Sequence, residues 1–323
     1  MEISITAWQS DQSPSELEPA SFSMNDVDRY DLVWINLGGP DTQAQRDYLE
    51  QTVGLPRLAV DDALRDRHPP KFESLEDGWD FLLVRGLDAT TDSIDFHTIQ
   101  LSFFWRGPLL VTRHNAPSVS VQSVKQRIAE GKLKKPRSGG QFSHTLLRTL
   151  ADRYMPIVLQ LEGRLEEIED LLMTNPSDEL LGELLEYSRQ LKRLRRIASY
   201  HENCFRRMLN HEVLPGDMTH SELVDLHESA ERLSSLSTLQ YEITSDLING
   251  YLSISSHRLN QVMRVLTVVT VLFVPLSFMA GIYGMNFQYI PELQWKYGYF
   301  VLLGVMATIT TVLLLAFKKK HWL

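Results

Sequence analysis

The chain is almost without cysteine. One residue, Cys204, stands in 323, so no disulfide can form within it and a hydrophobic core must hold the fold. The start, MEISITAWQSDQS, lacks the basic opening and apolar stretch of a secretory signal, and the bulk of the chain is expected in a reducing cytosol. No Gly-x-x-x-x-Gly-Lys phosphate loop occurs, and Gly38-Gly39-Pro40 reads as a turn after a strand. No nucleophile, acid pair or cofactor loop announces itself, so an enzyme has the least support and no cofactor is expected. The most informative absence is of charge: there is none over residues 265–291 and none over 297–317. A bilayer core of about 30 Å is crossed by about 20 helical residues, so each run is long enough to cross once.

Charge is segregated as well. The net charge is −9, and the residues after Asn260 hold Arg264, Lys296, Lys318, Lys319 and Lys320 against Glu292, a net of +4 that leaves −13 for the rest. An acidic body beside membrane spans argues against nucleic acid and anionic lipid as partners and favours divalent cations. Solubility alone also accounts for an acidic balance.

Residues 1–135 read as a cytosolic α/β domain, with strands at 31–37, 81–84, 98–105 and 109–112, a hairpin turn at Arg106-Gly107-Pro108 and a short helix at 58–67. Residues 136–218 read as a helical hairpin, one arm over 143–173 and the other over 177–209, with Asn175-Pro176 between them. The first arm is rich in acids (Glu162, Glu166, Glu167, Glu169, Asp170) and the second in bases (Lys192, Arg193, Arg195, Arg196), which suggests solvated faces with weak ion pairs between the arms. Thr219 and Glu222 fit a capping box, and Leu236, Leu239, Ile243, Leu247 and Ile254 keep helical spacing into the uncharged run. This predicts a stalk helix over 219–262 that continues as a first transmembrane helix over 263–284. An outer loop over 285–296, a second transmembrane helix over 297–317 and a basic tail over 318–323 follow. The fold class is thus an α+β cytosolic domain, a long stalk helix and two C-terminal transmembrane helices. Two spans put both termini on one side, and Lys318 to Lys320 mark that side as cytoplasmic. The protein is expected as a multi-pass protein of the plasma (inner) membrane.

The first span carries small and polar residues along one stripe: Asn260, Met263, Thr267, Thr270, Val274, Ser277 and Gly281, spaced alternately by three and four. Such a stripe packs helices together or, in a ring of copies, lines a pore. At the outer end of this span stands Gly284-Met285-Asn286, followed by Pro291-Glu292-Leu293, and the chain ends Lys-Lys-Lys-His-Trp-Leu.

A Gly-Met-Asn closing the first of two C-terminal spans, with these flanks, resembles the CorA family of magnesium and cobalt channels; the ZntB branch of zinc transporters shares the architecture but typically lacks the Pro-Glu-Leu loop. The resemblance implies a homopentameric funnel whose first spans line the pore, with magnesium as both transported and regulatory ion, and cobalt or nickel as further candidate ions. It implies a selectivity filter at Gly284, Met285 and Asn286, with Gly284 allowing an unusual backbone turn and Met285 packing to hold it. A pore lined by Asn260, Met263, Leu266, Thr270, Val274 and Ser277 follows, narrowed to a hydrophobic gate at Met263 and Leu266. Glu292 would draw cations to the mouth, and Glu76, Asp77 and Asp225 would bind regulatory metal between subunits. Two alternatives stay open: a zinc transporter of the ZntB branch, proton-coupled or not and with His220 and His227 as its suggestive residues, and a non-conducting membrane-anchored binding protein.

Overall fold

The runs of β-branched and aromatic residues in the first third of the chain form strands because each has an apolar surface to bury on both faces. The computed structural model describes residues 2–9, 13–19, 21–65, 68–133, 135–286, 295–320 and 322. The chain divides into two units, Met1–Ile248 and Asn249–Leu323.

The first unit is built on a seven-stranded sheet. Its strands are β1 (Glu2–Trp8), β2 (Ser15–Leu17), β3 (Leu32–Gly38), β4 (Lys71–Ser74), β5 (Asp80–Leu87), β6 (Thr98–Arg106) and β7 (Leu109–His114), in the spatial order β2-β1-β3-β7-β6-β5-β4. β3 and β7 run parallel and the other neighbours antiparallel. The expected hairpin joins β6 to β7 through Gly107-Pro108, and Gly107 takes the φ of +54° that this tight turn demands. Strands β1, β2 and β4 are additions to the sequence reading. β2 and β4 are short edge strands of polar sequence, and β1 mixes Ser and Thr into its alternation, so none carries a strong apolar period.

Helices cover both faces of the sheet. On one face, α1 (Gln43–Asp47), a single π turn (Tyr48–Val53) and α2 (Arg57–Leu64) bring Leu49, Val53, Ala59, Val60 and Ala63 onto Val33, Ile35, Phe81, Phe104 and Val111. α2 stops at Leu64, because Arg65 is already extended; residues 66 and 67 of the expected helix lie outside the described residues. α3 (Val119–Ala129) follows β7. On the other face lie α4 (Gly139–Ala151) and α6 (Asp178–Leu209), with Phe142 of α4 set against Trp8 and Trp34 at ring separations of 5.2 and 4.9 Å.

The single helix expected over 143–173 is two, α4 and α5 (Tyr154–Thr174). Pro156 explains the break: it has no N–H to give the carbonyl of Asp152, and its ring crowds that carbonyl, so it fits only in the first turn of a new helix. Arg153, at the break, donates to the carbonyls of Leu87 and Asp88 at 2.8 and 2.9 Å and anchors the junction to the end of β5. α5 and α6 then form the hairpin, locked by the Arg164 guanidinium on both oxygens of Glu183, each at 2.8 Å. The acids and bases singled out in the sequence do not pair with one another. With Arg164 opposite Glu183, the bases of 192–196 come level with the start of α5, before its acidic stretch begins. Lys192 and Arg195 instead lie over the Tyr241 ring, and Arg193 over Phe96.

The long helix α7 runs unbroken from His220 to Tyr283, 64 residues, with Pro275 inside it. Its start is the predicted capping box: Glu222 accepts from the Thr219 N–H at 2.8 Å and the Thr219 hydroxyl accepts from the Glu222 N–H at 3.3 Å. Within the first unit its buried stripe is Leu223, Leu226, Ala230, Leu233, Ser237, Gln240 and Thr244. The apolar set whose spacing marks the helix in the sequence lies beside this stripe: Leu236, Ile243 and Leu247 are half-buried, and Leu239 is 50% exposed. The polar residues are admitted to the buried stripe because their donors are satisfied, those of Ser237 and Thr244 by the carbonyls of Leu233 and Gln240 and the Gln240 amide N–H by that of Val158 at 2.7 Å, while the Gln240 amide oxygen has no partner among the described residues. The second unit holds the rest of α7 and α8 (Gly298–Lys319).

Burial also sets two side-chain chemistries. The buried Cys204 thiol is pushed up to about 12, which makes it inert. His201, fully enclosed and near Arg85, is pushed down to about 4 and accepts the Arg85 backbone N–H at 3.0 Å as a neutral ring. A depressed histidine contributes stability that is complete above its unfolded value of 6.5 and is lost as pH falls towards 4. Thermal melting followed by tryptophan fluorescence is expected to drop over that window, and to drop less in His201→Gln, whose amide oxygen accepts the same N–H without titrating.

Candidate functional site

The second unit offers two helices long and apolar enough to cross a membrane, the uncharged part of α7 and α8. Within this unit they cover little of each other: Val268 is buried, while Val262, Val265, Phe273, Phe278 and, on α8, Tyr299, Phe300 and Leu315 stand exposed. A hydrocarbon surround suits these apolar faces.

The stripe read from the sequence lies along the same helix, and it too is uncovered. Asn260, Met263, Leu266, Thr270, Val274 and Ser277 are all exposed, and Thr267 is half-buried. The serine and threonine hydroxyls in the uncharged runs of α7 and α8 divide into two groups. Those of Thr267, Thr308, Thr310 and Thr311 each donate to the carbonyl four residues earlier, at 2.7 to 2.9 Å, and are satisfied within their own helix. Those of Thr270 and Ser277, and the amide of Asn260, make no hydrogen bond among the described residues. Leaving such groups to hydrocarbon costs several kcal/mol each. Thr270 and Ser277, the serine and threonine hydroxyls of the uncharged runs left without a partner among the described residues, both sit on the stripe, so this face needs water or another polar surface.

At its C-terminal end α7 closes with the Gly284 N–H on the carbonyls of Ala280 and Gly281, at 2.9 and 3.2 Å. The unusual backbone turn expected at Gly284 is not a left-handed one. A Cβ there would lie 3.2 Å from the Ala280 carbonyl oxygen, a close approach that a larger residue would have to relieve by a small shift. Met285 is 45% exposed, and Asn286 beyond it is exposed with its amide unengaged among the described residues. Glu292 and the loop over 287–294 lie outside the described residues.

The three acids expected to regulate are in the first unit. Glu76 and Asp77 form the tip of the β4–β5 hairpin, where Asp77 takes a left-handed φ of +60°, a conformation Asp tolerates better than most residues. Asp225 sits in the second turn of α7, where its two oxygens accept from Arg148 at 2.8 Å and His144 at 2.9 Å. Sequence reasoning finds neither α4 residue, because they lie 77 and 81 positions away and only tertiary packing brings α4 beside α7. Among the described residues, no group of three or more histidine, cysteine or acidic side chains gathers to hold a metal within the chain. Glu76, Asp77 and Asp225 therefore do not meet inside one chain, and neither do His220 and His227 recruit a third ligand.

Comparison with known proteins agrees with this architecture. The family model described as CorA-like Mg2+ transporter protein matches residues 30–319. YfjQ of Bacillus subtilis, a putative metal ion transporter by its description, is 30% identical over 293 residues, covering 90% of this chain and 89% of its own length. The cobalt/magnesium transport protein CorA of Thermotoga maritima is 27% identical over 299 residues, covering 90% and 83%. Among solved structures, the CorA magnesium transporter from Methanocaldococcus jannaschii superposes with a TM-score of 0.82 over 100% of this chain and 99% of its own, at 21% identity.

Proposed function

Because the chain belongs to the family of CorA-like Mg2+ transporter proteins, and is on that ground a CorA-type divalent metal transporter held in a membrane by two C-terminal helices, we propose that it assembles as a homopentamer and admits magnesium to the cytosol. In this reading it lies in the plasma membrane with both termini cytoplasmic, as the Lys318 to Lys320 cluster directs. The observation that carries the proposal is the exposed stripe of α7 on which Thr270, Ser277 and Asn260 lack partners among the described residues. Five copies of that face around an axis enclose water, which satisfies those groups, while the apolar faces and α8 turn to lipid.

The chemistry follows from the ion. Magnesium is small and sheds water reluctantly, so a selective mouth binds it hydrated, through carbonyl oxygens that accept hydrogen bonds from its water shell. A ring of Asn286 amides supplies those oxygens, and Gly284 and Met285 set the chain's path into it. Glu292 raises the local cation concentration. Deeper in, rings of Met263 and Leu266 close the passage by excluding water until it widens, with Val274 as a further apolar ring between the hydroxyls of Thr270 and Ser277.

Control from the cytosol uses Asp225 of one copy with Glu76 and Asp77 of the next. Two carboxylates about 4 Å apart repel by roughly 4 kcal/mol at an effective dielectric of about 20, and a shared divalent ion turns that repulsion into a clamp. Asp225 is 43% exposed and Arg148 40%, so their ion pair is worth about 1 kcal/mol or less and yields to a doubly charged competitor. High internal magnesium then holds the copies together and the pore shut.

Three measurements test this reading. Ser277→Cys is expected to react with a water-soluble thiol reagent at least tenfold faster than Phe278→Cys, and to lose flux on reaction, with buried Cys204 silent; equal rates would remove the water-facing stripe. Asn286→Ala is expected to cut magnesium uptake into liposomes at least tenfold while zinc and cobalt are compared in parallel; intact magnesium uptake, or uptake of zinc alone and only with a pH gradient, would overturn the filter assignment in favour of a proton-coupled zinc carrier. Asp225→Asn with Asp77→Asn is expected to need severalfold more internal magnesium for half-inhibition of current, and unchanged inhibition would take both out of the sensor.

A further inference from the structure

The first unit is acidic as a whole, yet one concave part of it is basic. Between α6 and the β5–β6 part of the sheet lies a cavity of about 880 Å³, into which His68, Arg85, His97, Arg193, Arg196 and Tyr200 face. Pro69, Pro70 and Ile197 supply its apolar wall, and among the described residues no carboxylate lines it. The basic surface continues along α6 past Lys192 and Arg195.

Ion pairing among the described residues does not account for the charges that α6 brings to this surface. Asp62 is taken up by Lys71 and His68, Glu186 by Arg189, and Glu183 by Arg164. Asp95, at the edge of the neighbouring groove, accepts from the Gln190 amide at 2.9 Å. Among the described residues, Lys192, Arg193, Arg195 and Arg196 enter no ion pair. Arg193 is nevertheless held in place: it donates to the Phe96 carbonyl at 3.0 Å and lies over the Phe96 ring at 5.0 Å. Arg85 is fixed by donating to the His68 carbonyl at 3.0 Å. A guanidinium stays charged at every physiological pH and presents a fork of donors, so a set of them converging on one hollow, with no acid among its described lining residues, favours an anion with several oxygens.

Shape narrows the class of anion. The volume falls within the range of about 300 to 1,000 Å³ typical of small-molecule sites, and the walls come from one unit, which suits a metabolite better than a folded partner. The hollow is not uniformly polar. The Tyr200 ring, 41% exposed, and the two prolines offer a flat apolar surface beside the cations. We propose that this cavity binds a nucleoside polyphosphate, with Arg193 and Arg196 on the phosphate oxygens and Tyr200 with Pro69 and Pro70 against the nucleoside.

The test is isothermal titration calorimetry on the purified full-length protein in detergent and EDTA, with ATP, inorganic triphosphate and adenosine as separate titrants. ATP is expected to bind saturably, one per chain, and triphosphate more weakly. Adenosine alone is expected to give no measurable heat. Arg196→Gln removes an exposed side chain with no partner among the described residues, so the fold stays intact, and it is expected to weaken ATP binding at least tenfold; Arg193→Gln is expected to do the same. No saturable binding of ATP, or unchanged affinity in both variants, would overturn the site; absent binding is also the result if acids of a second copy fill the cavity in the assembled protein. Triphosphate binding as tightly as ATP would overturn the nucleoside part. The readout is heat rather than flux, so its failure and that of the transport reading are told apart.

Discussion

A polar group facing hydrocarbon must find a partner, and the absence of water there leaves it only its own helix, a neighbouring helix or an aqueous pore. α7 and α8 meet this demand in two ways. Four threonine hydroxyls turn back onto their own helix and ask nothing of the surroundings. Thr270, Ser277 and Asn260 do not, and they fall on one stripe, so the second unit is left incomplete as a single chain. The proposed assembly around a watery axis would complete it, and the proposed filter, gate and lipid-facing surfaces follow from which way that stripe turns.

The same helix is governed by the same rule in a different solvent. In the first unit Ser237, Gln240 and Thr244 lie buried because carbonyl oxygens wait for them, while Leu239 is left outside. An amphipathic pattern read only by apolar residues picks the wrong face here. The exposed leucine side is a surface on which another copy can pack, which suits the oligomer proposed from the membrane part.

Charge on the first unit is arranged rather than merely abundant. Asp225 is held in place by two α4 side chains that are weak competitors for a divalent ion. The arginines of α6 are, by contrast, gathered where no acid among the described residues answers them, and are braced by a backbone carbonyl and by aromatic rings. The proposed nucleotide site would give this cluster its use in an otherwise acidic unit.

The architecture was legible in the residues because its signals are local. Two uncharged runs, a capping box, a Gly-Met-Asn at a helix end and a two-residue hairpin turn each act within a few positions of the chain, and a full-length solved structure superposes on the whole of the resulting fold. Pro156 was equally local, and its effect was there to be read. What local pattern cannot carry is partnership across the chain. The pairing of Asp225 with Arg148 and His144, the admission of Gln240 to a buried face by Val158, the edge strands β2 and β4, and the convergence of Arg85 and Arg193 on one cavity each join residues that no short stretch of sequence connects. Their energies depend on distance in space and on what excludes water around them, and only the folded chain sets both.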